Sequence, residues 1–152
     1  MTSSDTNSFL DFQDSIVKIK NTDFSSFKIQ NGLLRVAGAN SSLLIDNSTF
    51  SHNSGPLLIM LESGFTVNNT IFRLNSFSST DKFIECEHIS ALYGFFNSHF
   101  YQNEGGILVN LKDIENRHIV GLNEPDYTGK GIPSNFNEVY FQGNFINQLI
   151  HS

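Results

Sequence analysis

The central part of this 152-residue chain contains the stretch Phe65-Thr66-Val67-Asn68-Asn69-Thr70-Ile71-Phe72-Arg73-Leu74-Asn75, and most of its positions recur elsewhere in the sequence. Counted back from Phe72, apolar side chains stand at minus seven and minus five, asparagine at minus three and a hydroxyl residue at minus two. An apolar side chain at every second position is typical of a strand with one buried face. The stretch therefore predicts a strand that bends at an asparagine and continues to a buried phenylalanine.

Further copies of this pattern align on phenylalanines separated by 26, 22 and 28 residues. The reference phenylalanines are Phe24, Phe50, Phe72 and Phe100. The asparagines that precede them by three residues are Asn21, Asn47, Asn69 and Asn97. A second asparagine follows the last three phenylalanines at Asn53, Asn75 and Asn103, and Phe27 holds that place in the first copy. A strand-like repeat of roughly two dozen residues predicts a solenoid of stacked coils.

Stacking gives each repeated residue a physical role. Equivalent strands of stacked coils lie about 4.8 Å apart, so equivalent side chains form ladders along the axis. Phenylalanines bury large apolar areas in such a ladder, and asparagines adopt left-handed backbone angles at bends with little cost. The side chains of the asparagines, including Asn21, Asn47, Asn69 and Asn97, are also expected to hydrogen-bond the coil above or below as an asparagine ladder. For Asn53, Asn75 and Asn103 two interpretations are equally supported: a hydrogen-bonded ladder between coils, or a local cap of each turn.

The rest of the chain completes the expected architecture. Second strands are predicted in the stretches 55–61, 81–86 and 105–111, each after a polar turn. We predict one all-β domain, a right-handed parallel β-helix of about five coils with one loop insertion. Its expected parts are an N-terminal cap or tail at 1–15, regular coils at 16–111, the loop insertion at 112–136 and a degenerate final coil at 137–152.

Short motifs in these copies resemble a known family. Phe50-Ser51-His52-Asn53, Phe72-Arg73-Leu74-Asn75 and Phe100-Tyr101-Gln102-Asn103 match the F-x-x-N motif of polymorphic outer membrane protein repeats, and Gly105-Gly106-Ile107-Leu108 is similar to their G-G-A-[ILV] motif. The resemblance covers about residues 15–111 and implies a pectin-lyase-like β-helix. Similar repeats occur in adhesins and in large proteins of ciliates and other protists. The resemblance therefore implies a structural or adhesive role at a cell surface.

Charge and hydropathy argue against nucleic-acid and membrane partners. The net charge is −6 and the chain holds nine Lys and Arg residues, whereas phosphate binding depends on clustered basic side chains. The longest apolar run, Leu57–Leu61, is too short for a membrane span. Residues 1–7 show no secretory signal pattern, so the sequence leaves the compartment open.

No catalytic, metal or cofactor site is expected. The resemblance also implies relatives that are polysaccharide lyases and hydrolases, which need clustered carboxylates on adjacent coils. At the position before the first repeated asparagine the residues are Lys20, Asp46, Asn68 and Phe96, which include one carboxylate. The five histidines occupy unrelated repeat positions, which argues against a stacked metal site. We therefore expect a non-catalytic protein, with a carbohydrate-binding or carbohydrate-active domain as the alternative.

Two regions are candidates for binding. A long insertion on a regular scaffold is a common place for recognition, and an idle solvated loop is at least as well supported. The polar residues of the insertion are Asp113, Glu115, Arg117, His118, Asp126, Tyr127 and Lys130. The residues 148–152 continue a strand-like pattern without a capping helix, so we expect a protein partner or further coils at the C-terminal edge.

Overall fold

The computed structural model describes residues 8–88, 93–112, 136–137 and 139–151, and its secondary structure there consists of sixteen β-strands. Sheet A contains β1 (Leu10–Gln13), β4 (Leu34–Ala37), β7 (Leu58–Leu61), β10 (Lys82–Glu87), β13 (Glu104–Lys112) and β16 (Phe145–His151). Sheet B contains β2 (Ile16–Lys20), β5 (Ser42–Asp46), β8 (Gly64–Asn68), β11 (Tyr93–Phe96) and β14 (Phe136–Asn137). Sheet C contains β3 (Asp23–Ser25), β6 (Thr49–Ser51), β9 (Ile71–Arg73), β12 (His99–Tyr101) and β15 (Tyr140–Gln142).

Successive strands along the chain pass from sheet A to sheet B to sheet C and back, and every strand pairing among the described residues is parallel. This topology confirms the predicted parallel β-helix. The solenoid makes about four turns, slightly fewer than the five coils expected.

The ends of the regular repeat differ from the sequence-based boundaries. Residues 10–13 were expected in a cap or tail, yet β1 pairs in register with β4, and Leu10 lies beside Leu34. At the other end the chain supplies one strand to each sheet, and Phe141 lies beside Phe100 in β15 and β12. The final coil therefore continues the register of sheet C.

The phenylalanines of sheet C form one continuous stack through the interior. Ring centroids of neighbouring members lie 5.0, 5.1, 4.6 and 5.1 Å apart along the series Phe24, Phe50, Phe72, Phe100 and Phe141. The interplanar angles do not exceed 12°. Phe50, Phe72 and Phe100 are fully buried, so the stack forms the central column of the hydrophobic core.

Sheet A supplies the opposite wall of the core. One inward row contains Leu34, Leu58, Ile84 and Val109, and the next contains Val36, Met60, Cys86 and Leu111. Burial raises the pKa of the Cys86 thiol far above its ordinary value, so the neutral thiol packs as a small apolar group. Phe9 covers the first coil, with its ring 5.6 Å from that of Phe27.

Each corner of the coil turns at a residue with a positive φ angle. Between sheets B and C this residue is the first repeated asparagine, with φ of 52°, 48°, 47° and 49° at Asn21, Asn47, Asn69 and Asn97. Between sheets C and A it is the residue before the second asparagine, or before Phe27 in the first copy: Ser26, His52, Leu74, Gln102 and Gly143. Asparagine tolerates the left-handed region better than most residues, which explains its repetition at the first corner.

The double glycine of the fourth coil is required by close packing. A Cβ atom on Gly106 would lie 2.6 Å from the carbonyl oxygens of both Ser79 and Asp81. Because these atoms belong to the backbone, they cannot move aside as a flexible side chain would. Gly106 therefore lets β13 approach the turn that precedes β10.

Candidate binding surfaces

The second repeated asparagines form a ladder of hydrogen bonds inside the corner between sheets C and A. Asn53 donates from its backbone N and its Nδ2 to Oδ1 of Asn75, at 3.0 and 3.1 Å. Asn75 donates in the same way to Oδ1 of Asn103, at 3.1 and 2.9 Å. Each Nδ2 also donates to the carbonyl oxygen of a phenylalanine, as Asn75 does to Phe50 at 3.0 Å. These three asparagines are at most 1% exposed, so their amides satisfy buried backbone groups of adjacent coils.

Asn144 is a member of this ladder that the sequence-based alignment omits. It accepts two hydrogen bonds from Asn103, at 3.1 and 2.9 Å, and its Nδ2 donates to the carbonyl of Phe100 at 2.8 Å. The signal is present in the sequence, because Phe141-Gln142-Gly143-Asn144 is a further F-x-x-N motif. The phenylalanine of this motif, Phe141, follows Phe100 by 41 residues instead of the usual 22 to 28. The insertion therefore interrupts the spacing on which the alignment depends.

The first repeated asparagines lie on the surface and form no continuous ladder among the described residues. Asn21, Asn47, Asn69 and Asn97 are all exposed. Asn47 Nδ2 donates to Asn21 Oδ1 at 2.7 Å, and Asn97 Nδ2 donates to Asn68 Oδ1 at 3.3 Å. Hydroxyl side chains next to them connect the coils instead, since Ser48 Oγ accepts from the backbone N of Thr22 at 3.2 Å and Ser98 Oγ accepts from Thr70 at 3.3 Å.

The outer face of sheet A carries a charged groove of about 700 Å³. Asp11, Arg35, Ile59 and Glu85 lie side by side on successive strands, so the groove crosses several coils. Arg35 pairs with Asp11 at 2.8 Å, and Lys82 pairs with Glu85 at 3.2 Å. The floor of the groove is therefore a row of ion pairs interrupted by the apolar Ile59.

Glu87 continues this charged surface toward β13. Its Oε1 lies 2.9 Å from Nζ of Lys112 and 3.2 Å from Nε2 of His88. The hydrogen bond from Lys112 is the main cause that lowers the pKa of the Glu87 carboxyl below its ordinary value. A lowered pKa keeps Glu87 ionised at neutral pH, which suits ion pairing and does not suit the role of a proton donor.

The outer face of sheet C presents aromatic side chains. Tyr140 is 42% exposed, and its ring lies 4.9 Å from that of His99. Tyr101 lies in register between Arg73 and Gln142. An acidic residue beside Tyr101 or Tyr93 would have favoured glycan binding. The register neighbours of Tyr101 are not acidic, and the side chain of Tyr93 lies outside the described residues.

The two ends of the solenoid expose different edges. β1, β2 and β3 form the N-terminal edge, which carries the charged residues Asp11, Lys18, Lys20 and Asp23. β14, β15 and β16 form the C-terminal edge, and none of these strands contains Asp, Glu, Lys or Arg. Among the side chains that the structure describes, the apolar ones with the highest exposed fractions lie at these edges, with Ile16 73% exposed and Phe145 84% exposed.

The candidate loop residues Asp113, Glu115, Arg117, His118, Asp126, Tyr127 and Lys130 lie outside the described residues. Within residues 8–88, 93–112, 136–137 and 139–151, no three His, Cys, Asp or Glu side chains are grouped as metal ligands. In the same part of the chain, no helix has the length and apolarity needed to cross a membrane.

Comparison with known proteins found no match for this chain among protein-family models, curated proteins or solved structures.

Proposed function

We propose that this chain is a non-catalytic β-helix scaffold that joins a protein partner, or further coils, at its C-terminal edge. Such a scaffold belongs in a surface protein or a larger assembly. The observation that carries the proposal is the contrast between the two edges of the solenoid. One edge is charged and made of short strands, and the other ends in a long strand without charge.

The edge contrast matters because an edge strand exposes unpaired backbone N–H and C=O groups. Proteins discourage unwanted pairing at such edges with short strands and with charged side chains, lysine above all. β2 has lysines at two of its five positions, Lys18 and Lys20. β16 has seven residues, none of them Lys, Arg, Asp or Glu. The C-terminal edge therefore retains the properties of a surface that pairs with another strand.

The charged groove of sheet A supports a recognition role over acid–base catalysis. Asp11, Glu85 and Glu87 each lie within 3.2 Å of a basic side chain. The lowered pKa of Glu87 keeps that carboxyl group ionised, whereas glycoside hydrolysis needs one carboxyl group that keeps its proton. The resemblance to F-x-x-N repeats, which occur in adhesins, agrees with a scaffold that displays such a surface.

Site-specific photo-crosslinking tests the proposal. A benzophenone amino acid replaces Phe145 in one variant and Ile16 in a second, because both side chains are exposed at opposite edges. In cells that produce the chain, we expect a discrete protein adduct at position 145 and none at position 16. The purified partner should then bind the wild-type chain and lose binding to Phe145→Glu. Equal adducts at both positions, or none at 145, would contradict the proposal.

Carbohydrate binding is the second candidate, and the groove over sheet A is the observation that favours it. Its lining combines paired charges with the apolar Ile59 and Leu61, a mixture that suits sugar hydroxyls and the apolar faces of sugar rings. A glycan array probed with the purified chain tests this candidate. Binding of defined oligosaccharides that is lost in Arg35→Ala would support carbohydrate binding. An array without any binding would contradict it, and the scaffold would be the remaining proposal.

A further inference from the structure

The asparagine ladder stops at Asn144 with hydrogen-bonding groups that have no described partner. In the coils before it, the backbone N–H and the Nδ2 of each ladder asparagine donate to Oδ1 of the next one. Asn144 has the same orientation in the ladder, and its Nδ2 donates one hydrogen to the carbonyl of Phe100. Its backbone N–H and its second Nδ2 hydrogen have no acceptor among the described residues.

The carbonyl oxygen of Phe141 is a third open group at this corner. Each earlier phenylalanine carbonyl of the stack accepts from the asparagine of the following coil, as Phe72 does from Asn103 at 3.0 Å. The backbone of β15 faces β12 through its flanking residues, because Tyr140 donates to Ser98 and Gln142 accepts from Gln102. The Phe141 carbonyl therefore points toward the open side, where no described residue donates to it.

We propose that these three groups, here called the amide socket, bind the side-chain carboxamide of an asparagine that immediately precedes a β-strand in a partner protein. The carboxamide oxygen accepts from the N–H and Nδ2 of Asn144, and the carboxamide nitrogen donates to the Phe141 carbonyl. The partner strand then pairs in parallel with β16, as β16 itself pairs with β13 after Asn144. This inference rests on the proposed function and specifies the partner of the same edge.

The arrangement inside the chain shows that one amide satisfies all three groups. Asn103 occupies the equivalent place one coil earlier and makes the equivalent bonds to Asn75 and to the carbonyl of Phe72. It is fully buried there. Buried polar groups that lack partners cost about 1–3 kcal/mol each, so an amide that pairs with all three is favoured over side chains that pair with one or two.

A second copy of this chain, stacked in the same direction, does not supply this group. Its N-terminal coil has Phe27 at the ladder position, and the Phe27 backbone N–H is already used by Asn53 Oδ1 at 3.0 Å. Its edge strands also carry Asp11, Lys18, Lys20 and Asp23. Head-to-tail stacking would therefore leave the amide socket empty and bring charged edge strands against β14, β15 and β16, an arrangement that disfavours strand pairing.

A peptide probe tests the amide socket with the protein left intact. The probe is a fluorescently labelled peptide with the sequence of residues 103–112, in which an asparagine precedes the strand sequence of β13. Its control carries Asn103→Ala. Fluorescence anisotropy measures binding to the full chain, and we expect the alanine probe to bind at least about tenfold more weakly, because it fills none of the three open groups.

Matched variants of the protein locate the binding. Phe145→Glu places a carboxylate opposite the glutamate that follows the asparagine of the probe, and like charges directly opposite each other destabilise strand pairing. We expect at least about tenfold weaker binding to Phe145→Glu and a change of less than about twofold for Ile16→Glu, which alters the other edge. Because both positions are exposed, thermal unfolding monitored by circular dichroism should be unchanged in both.

Three results would overturn the inference and are distinguishable from failure of the proposed function. Equal binding of the asparagine and alanine probes would mean that β16 pairs with the probe strand without help from the asparagine side-chain carboxamide. Binding of neither probe, with the crosslinked adduct at position 145 preserved, would keep the edge as an interface and eliminate the amide socket. Wild-type self-association in light scattering that is lost in Phe145→Glu would place a second copy on this edge.

Discussion

Residues of the same type contribute differently to the stability of this chain, depending on whether their side chains contact neighbouring coils. The two asparagines of one repeat share a residue type and lie close in sequence, yet Asn75 is buried and saturated with hydrogen bonds whereas Asn69 is exposed. Asn75 links the coil before it and the coil after it through its amide. Asn69 serves its own bend through its positive φ. Their substitutions should therefore have unequal effects.

We predict that Asn75→Ala lowers the free energy of unfolding by about 3 kcal/mol. The change removes the donor of the Phe50 carbonyl and the acceptor of both the backbone N and the Nδ2 of Asn53. Each buried unpaired group costs about 1–3 kcal/mol. The control Asn69→Ala should cost about 1 kcal/mol, from the left-handed backbone alone. Urea unfolding monitored by circular dichroism measures both, and equal losses would show that the ladder adds nothing.

Leu74 occupies an unfavourable backbone conformation and is a site for stabilisation. Its φ is 54° and its side chain is 41% exposed, so the left-handed strain is offset by little burial. We expect Leu74→Gly to raise the free energy of unfolding by about 1 kcal/mol, since glycine adopts this region freely. Arg73→Gly, in the adjacent strand β9, should lower it by a similar amount. A loss of stability in Leu74→Gly would show that the leucine contributes more by packing.

At the scale of elements, sheet A differs from sheets B and C in the chemistry of its outer face. Its strands bring Asp11 beside Arg35 and Glu87 beside Lys112 across neighbouring coils. Such cross-strand ion pairs add modest stability on an exposed face. The contribution of such ion pairs to stability depends on pH, because protonation of a carboxylate removes the charge that holds the pair together.

We predict that Glu87 contributes to stability above about pH 4.5 and that the contribution disappears in acid. The pKa of the folded carboxyl lies below its ordinary value, chiefly because of the hydrogen bond from Lys112, so the unfolded chain takes up the proton first as the pH falls. Wild type should therefore exceed Glu87→Gln in urea midpoint at pH 7, and the two should converge as the pH drops through the lowered pKa. A difference that stays constant from pH 7 to pH 2 would contradict this assignment.

The whole molecule is stabilised in one dimension, since each coil pairs with the coils directly before and after it. An interior coil has two neighbours and a terminal coil has one, so opening is expected to begin at the ends. The edges also carry the exposed Ile16 and Phe145. The C-terminal edge that suits partner binding is thus one of the two least stabilised parts of the solenoid.

Hydrogen exchange should show this gradient directly. We expect the slowest amide exchange in β8, including Val67, and much faster exchange in β16, including Ile146, because β8 pairs on both sides whereas β16 pairs on one side among the described strands. Addition of the asparagine probe should slow exchange in β16 and leave β2 unchanged. Uniform protection along the chain would mean that the solenoid opens as a single unit.

The sequence by itself determined the repeat, the strands of sheet B and the phenylalanine stack, because these follow from a local alternation and from a period visible in the residues. It also located the bends, since asparagine favours the left-handed region through its own short side chain. The tertiary structure alone decided which asparagines form the buried ladder. Those hydrogen bonds join residues 22, 28 and 41 positions apart, and their donors meet their acceptors only when the coils stack.

Strand membership at the ends also depended on the tertiary structure. β1 (Leu10–Gln13) precedes the first aligned copy of the repeat, and it is a strand because β4 of the next coil offers paired backbone groups in register. Asn144 belongs to the ladder because the chain returns to register after the insertion, which no local pattern requires. The contrast between a charged and an uncharged edge follows from the same cause, because only the stacking order determines which strands are outermost.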